Sequence, residues 1–564
     1  MFLRRSGKAA LILMAFVSFF IFYRIILFSN RIQNEFLKVS QAILSVEPPT
    51  VGPWIYRETW IFLGAYATIC VLILLFSFVA KRLFRAGTMS VNVILFFATV
   101  LLSVEAQEWK GSHWRIKPAL YVLFCLSILY TILFRSGRMR PLLERFLKSI
   151  EERYSLYLGV IVLSSVLQRV FALYLDPNLL VEGDDPEYYY SAAIQLYEHG
   201  IHPHSGFSSG MIYFLAGSFR LFGIGQGSAK VVLILIGSVG LICLAFFAKD
   251  FFRSKAISIF TVAFYLISSH YVSFSNQFWN ENLFHPLFSI FLFSAYRFVR
   301  SVSAGSFSAS ISYSFVSGLL FFYLVQLRSW FLLVGVLFLS LLCFFEFSGL
   351  KKRSAILVSG IAVLIVTLLG SGFAFQGFQN KEGHFLLPTS NGKANFIIGN
   401  HPYSQGTYTR HWVTYTIETG SDLNSEELFK KVILENLKDP AFLFSNLTKK
   451  TLLWFFSAGG PRPFTDYYQH PLSFAQYFFR ISCFLLMCFG IFRSFSDRLG
   501  KILPAVYVSI FFIHLIYFAD YRFTLTAMPL QALFIGCGLL ALTRKAFGEN
   551  DSNHVESDSS SETS

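Results

Sequence analysis

Charge is scarce in this chain. Of its 564 residues only 14% are Asp, Glu, Lys or Arg, whereas 54% are hydrophobic, and the mean hydropathy is +0.55. Soluble domains average about 25% charged residues, so the scarcity excludes an ordinary soluble domain and points to the bilayer. Acids are the scarcer sign: 32 Asp and Glu stand against 47 Lys and Arg, a net charge of +15. The basic residues fall largely in short loops between apolar runs. Membrane topology accounts for that excess, and nucleic acid is not an expected partner.

Cysteine is also sparse. All seven (Cys70, Cys125, Cys243, Cys343, Cys483, Cys488 and Cys537) lie inside apolar runs, and no pair has zinc-ligand spacing with nearby histidines. They read as small buried apolar residues, not as a disulfide scaffold or a metal centre. No Walker loop, GxSxG elbow, HExxH helix or dinucleotide glycine pattern explains the chain. The first apolar run has no convincing small-residue cleavage site and is followed by many others, unlike a cleavable secretory leader.

What the chain has in abundance is long apolar runs. A helix needs roughly 20 apolar residues to cross the hydrocarbon, and about fourteen segments meet that length. They centre near Phe19, Ile69, Phe96, Leu126, Val162, Gly237, Phe264, Ile290, Leu319, Phe338, Val363, Leu485, Ile510 and Phe534. Every second loop is basic: Lys81, Arg82 and Arg85 follow the second span, for example, and Lys249, Arg253 and Lys255 the sixth. That alternation predicts an integral multi-pass membrane protein with both termini cytoplasmic; in a bacterium the membrane is the plasma, or inner, membrane. Arg24 and Arg169 fall in outer halves of spans, where snorkelling to the interface would accommodate them.

The expected organisation is an N-terminal four-span extension (1–153), a catalytic membrane core (154–375), a small extracytoplasmic loop domain (376–471), C-terminal spans of the core (472–545) and a disordered cytoplasmic tail (546–564). Asn446-Leu447-Thr448 fits a glycosylation sequon in the loop domain.

Chemistry-bearing residues gather at the outer ends of spans. In "GDDPEYYYSAAIQLYEHG", Asp185-Pro186 reads as a helix start, with Asp185 as N-cap. Asp185, Tyr189, Ala193 and Leu196 then share one helix face. Glu281 in "SNQFWNENLF", Arg328 in "LVQLRSWF" and Arg522 in "FADYRFTLTAMPL" sit at other outer span ends. Singly, each reads as an interfacial charge; together they put carboxylates and guanidiniums at one face, which suits a lipid-linked phosphate. His199, His202 and His204 follow the acidic helix, but Gly200 and Pro203 break any helical ligand face.

The order of these motifs resembles GT-C membrane glycosyltransferases, nearest the dolichyl-phosphate-mannose–protein mannosyltransferase-like group, over roughly 154–542. The acidic stretch is similar to the family's first outer-loop motif, "SNQFWNENLF" to a later motif ending in an acid, and "SGLLFFYLVQLRSWFLL" to a span ending in Arg. "NGKANFIIGNHPYSQGTY" resembles the outer-loop GN-x-P region, which holds Asn400, and "DYRFTLTAMPLQALFIGCGL" resembles the closing span.

The resemblance implies an all-α polytopic fold with a GT-C-like core. It also implies an inverting enzyme that moves a sugar from a polyprenyl-phosphate donor to a hydroxyl outside the cytoplasm. It carries the catalytic base onto Asp185, with Asp184 as fallback. Arg328, Arg522, Glu281, Tyr189 and Asn400 are the implied donor-phosphate or substrate-binding residues. A divalent metal is a possible cofactor, with Glu281, His202 and His204 as candidate ligands. Pro186 follows Asp185 where the strict protein-mannosylating pattern has Glu, so protein, lipid and glycan acceptors stay open. The WWDYG motif of oligosaccharyltransferases is absent. A transporter or lipid flippase, or a polysaccharide polymerase or ligase, is the rival reading. The few charges deep in spans and the lack of a clear repeat disfavour a transporter.

Overall fold

The computed structural model describes residues 139–175, 185–200, 208–268, 277–346, 354–379, 392–408, 410–456, 471–494 and 499–546. The chain divides into Met1–Ser127 and Ile128–Ser564, and every described residue belongs to the second unit. The first four expected spans, the C-terminal tail, Arg24, Asp184, His202 and His204 lie outside the described residues.

Among the described residues the fold is entirely helical. In chain order the helices are α1 (Met139–Glu152), α2 (Tyr154–Leu175), α3 (Asp185–His199), α4 (Gly210–Phe222), α5 (Gln226–Phe251), α6 (Lys255–Ile267), α7 (Asn280–Ala304), α8 (Phe307–Leu327) and α9 (Phe331–Glu346). They continue as α10 (Ser354–Gln379), α11 (Gly392–Asn400), α12 (His411–Thr419), α13 (Glu426–Lys438), α14 (Pro440–Phe456), α15 (Pro471–Ser494), α16 (Ile502–Ile516) and α17 (Thr524–Ala546).

The ten expected span centres from Val162 onward all fall on helices: α2, α5 to α10, and α15 to α17. Among the described residues four helical stretches, Gln226–Phe251, Asn280–Ala304, Phe307–Leu327 and Thr524–Thr543, are long and apolar enough to cross a membrane by length and composition. Shorter apolar helices accompany them, including Gly210–Phe222, which was not among the expected spans. The described residues are those of a multi-pass, all-α membrane protein.

Helix α7 is the axis of the bundle, packed chiefly against α5, α8 and α17. It is buried along most of its length, and the buried residues include the polar Asn280, Glu281, Asn282 and His285. Its aromatic side interlocks with α9: Phe284, Phe288 and Phe291 each place a ring 5.4 to 5.5 Å from Phe331, edge to face. Pro286 sits inside the helix and Gly240 of α5 receives it; a Cβ on Gly240 would stand 2.7 Å from the Pro286 Cα. Gly305, left-handed at φ 76°, ends α7 with its N–H on Ser301 and Val302 carbonyls.

Glycine sets another helix crossing. Gly490 of α15 and Gly538 of α17 face each other so closely that a Cβ on Gly538 would lie 2.2 Å from the Leu486 carbonyl oxygen. In lipid such small residues let backbones approach, and dispersion then holds the pair.

Two expectations change here. Arg169 does not snorkel. It is 1% exposed, with its guanidinium 3.4 Å from the carbonyls of Leu233 and Ile234 on α5. Gly237 makes the room, since a Cβ there would lie 2.0 Å from Arg169 Nη1. Asn446 is likewise no accessible glycan acceptor in the folded chain: it is buried, and its amide donates to the Gly399 carbonyl at 2.8 Å.

The 376–471 segment contributes α11 to α14. Ile397, Tyr415, Leu428 and Val432 form a small core of their own. Ser425 caps α13 by accepting the Leu428 N–H at 3.2 Å.

Candidate active site

Helix α3 begins at Asp185, and Pro186 takes the next position, where its fixed φ suits the first turn and its missing N–H costs nothing. Tyr189 one turn on, and Ala193 one turn beyond, are buried against the bundle. Tyr190 stacks on Phe278 at 5.8 Å and meets Phe219 of α4 edge-on at 5.5 Å. The helix is thus fixed by its own tyrosines, and Asp185 stands at its start.

Asp185 Oδ2 accepts a hydrogen bond from Arg522 Nη1 at 3.2 Å, across 337 residues of chain. Arg522 lies in a short 3-10 turn, Tyr521–Phe523, just before α17. Asp520 caps that turn: Oδ1 accepts the Arg522 N–H at 3.2 Å, and Oδ2 lies 3.8 Å from Arg522 Nε. The guanidinium also rests 4.3 Å from the Trp279 ring centroid and 5.2 Å from that of Phe523.

A second acid–arginine pair adjoins the first. Glu281, in the first turn of α7, is held by Arg328 Nη2, at the C-cap of α8. Glu281 is fully buried, and Oε2 has no hydrogen-bond partner among the described residues. A carboxylate at a helix N-terminus is favoured by the exposed N–H groups there. Arg328 also lies 5.0 Å from the Phe523 ring, so that ring touches both guanidiniums.

Tyr189 ties the two pairs together. Its hydroxyl accepts from Asn280 Nδ2 at 2.7 Å, and the same amide contacts Ser208 Oγ. Burial raises the Tyr189 phenol well above its usual range. Asp185 and Glu281 push it further up, and Arg328 opposes them. The phenol is therefore a neutral hydrogen-bonding group. Asp185, Tyr189, Glu281, Arg328 and Arg522 form one constellation.

Asn400 belongs to a neighbouring joint. Its Nδ2 donates to the carbonyls of Phe396 and Ile516, both at 2.8 Å, and its Oδ1 accepts from Lys450 Nζ at 2.8 Å. Lys450 also reaches the carbonyls of Leu515 (2.9 Å) and Tyr517 (2.5 Å), closing the exposed end of α16. Burial lowers the Lys450 amine to about 7. Ala519 N–H donates to Gly406 O at 2.8 Å. The loop unit thus grips the strand of chain that leads into Asp520 and Arg522.

Sequence reading passed over Trp279, Asn280, Ser208, Asp520 and Phe523. All but Ser208 lie inside stretches it singled out, next to charges that drew the attention. No three His, Cys, Asp or Glu side chains gather at metal-binding distances among the described residues.

No protein-family model matches the chain, and no curated protein matches it. Among solved structures, ArnT from Cupriavidus metallidurans bound to undecaprenyl phosphate is 13% identical, with a TM-score of 0.41 over 70% of this chain and 62% of that one. The same protein in the apo state is 14% identical, with a TM-score of 0.40 over 71% of this chain and 62% of that one. The match therefore spans less than two thirds of either structure's length.

Proposed function

We propose that this chain is a GT-C-type membrane glycosyltransferase that transfers a sugar from a polyprenyl-phosphate donor to a hydroxyl acceptor on the extracytoplasmic face. The observation that carries the reading is the Asp185–Arg522 contact beside the Glu281–Arg328 pair. It joins four residues that the motif resemblance had named separately. In this reading residues 154–375 and 472–545 form the catalytic core, and 376–471 an outer domain.

The reaction needs a base, a phosphate receptor and a pocket for sugar. Asp185 takes the proton of the acceptor hydroxyl while its oxygen attacks the anomeric carbon from the face opposite the phosphate. The bond from that carbon to the phosphate oxygen breaks, and polyprenyl phosphate leaves with the electron pair. Configuration inverts. The phosphate is already a good leaving group, so the site needs a cation to hold its charge rather than an acid to protonate it. Guanidiniums supply that cation in a geometry that matches phosphate oxygens. Tyr189 and Asn280, buried and bonded to each other, brace the site beside Asp185 and Glu281.

The experiment is transfer by the purified protein from a panel of polyprenyl-monophosphate sugars. Asp185→Asn should lower turnover by about a hundredfold or more, while the protein still inserts and purifies as a single species. Full turnover in that variant removes Asp185 from the mechanism. A transporter would instead move substrate across vesicles without forming a glycosidic product.

A further inference from the structure

The two arginines are not equivalent. Arg328 is committed to Glu281, a carboxylate that is 0% exposed and cannot leave its place in α7 without taking a charge through the bundle. Arg522 holds Asp185, whose side chain is 25% exposed and stands at the start of its helix. The Arg522 backbone N–H is held by the Asp520 cap, and its guanidinium lies 3.8 Å from Asp520 Oδ2 and over the Trp279 and Phe523 rings. Of the two partners the acid is the more exposed, 25% against 14% for the arginine.

Charge balance points the same way. Among the described side chains that touch here, the carboxylates of Asp185, Glu281 and Asp520 face the guanidiniums of Arg328 and Arg522. Among these described groups, an incoming phosphate adds a further negative charge unless it replaces a carboxylate. Asp185 is the most exposed of the three, 25% against 13% for Asp520 and 0% for Glu281.

Resting on the function proposed above, we infer that the donor's phosphate binds at Arg522 by displacing Asp185, and that this exchange frees the carboxylate to accept the proton. Donor then binds before the base is available. Asp185 has two jobs in sequence: counter-ion to Arg522 in the empty enzyme, and base once the phosphate has taken its place. A site whose receptor is already paired has its apparent Kd raised by the inverse of the fraction of time it is unpaired, so the empty-state contact lowers affinity for the lipid phosphate.

The test measures binding of undecaprenyl phosphate, used as the probe, to full-length protein in detergent. Asp185→Asn should bind the probe about tenfold more tightly than the wild type, a gain of order 1.4 kcal/mol, although it does not turn over. Asp185→Ala should show the same gain if the asparagine variant fails to insert. Arg522→Gln should lose binding. Glu281→Gln should not tighten it. Equal or weaker binding by both Asp185 variants overturns the exchange, as does a gain confined to Glu281→Gln, which would assign the phosphate to Arg328. Failure of the wild type both to bind the probe and to transfer sugar defeats the glycosyltransferase reading itself. Normal wild-type binding with no gain in the Asp185 variants defeats only this inference.

Discussion

Glu281 shows how much one side chain can depend on another in this site. It is buried without exposure, and its bond to Arg328 is its neutralising contact among the described residues. Removing one partner of a buried pair leaves the other uncompensated, at a cost of about 3–5 kcal/mol. Glu281→Ala should lower the unfolding temperature of the purified protein markedly, and Asp185→Ala, at a more exposed pair, should lower it far less. Equal shifts by thermal unfolding would contradict the difference in burial. Arg169 teaches a related lesson. Its position in an apolar run was plain from the sequence, but its burial depends on Gly237, a glycine on a different helix. No spacing within either helix announces that pairing. Asp185 and Tyr189 were legible because they share one helix face; the partner of Asp185 was not, because Arg522 meets it only through tertiary packing.

Among elements, the joint between the loop unit and α16 is the most exposed to test. Lys450 gives its protons to three oxygens, of Asn400, Leu515 and Tyr517. Lys450→Met keeps the length of the stem and deletes all three bonds; the Tyr517 carbonyl retains Asn400 Nδ2 at 3.3 Å, while the Leu515 carbonyl loses its lysine donor. Limited proteolysis should then cut the 376–471 segment faster, with the membrane helices still protected. Unchanged protection would show that α11 to α14 are held by other contacts.

Acid should loosen the same unit. His401 is fully buried, and burial, with a smaller push from His411, lowers its imidazole from 6.5 to about 4. The folded unit keeps it neutral, whereas the unfolded chain protonates it below 6.5. The contribution to stability is therefore complete above 6.5 and is lost as pH falls towards 4, by an amount of order 3 kcal/mol. His401→Gln should flatten the fall in loop-unit stability between those values, as read by proteolysis at graded pH. The spans were the most legible elements, because length and apolarity alone define them. The loop unit's helices were not, because their short amphipathic faces close over a core that only the fold assembles.

For the molecule as a whole, sidedness decides whether the constellation can meet a lipid-linked donor outside the cytoplasm. The sidedness expected from the basic loops puts the C-terminal end of α3 at the outer face and the end of α7 at the inner one. Glu198 and Ala304 are exposed positions at those two ends. In a background without native cysteines, Glu198→Cys should react with an impermeant maleimide in intact cells, and Ala304→Cys only after permeabilisation. The reverse pattern would turn the site towards the cytoplasm and end the proposed reaction.

The distance in sequence between Asp185 and Arg522 also has a meaning in time. A ribosome delivers the acid to the membrane 337 residues before it delivers the arginine. Until Arg522 enters, a nascent chain carries the carboxylate without this guanidinium. The contact is thus completed late in synthesis, and a chain interrupted before Arg522 cannot form it. Its presence becomes a certificate that translation has reached the start of α17.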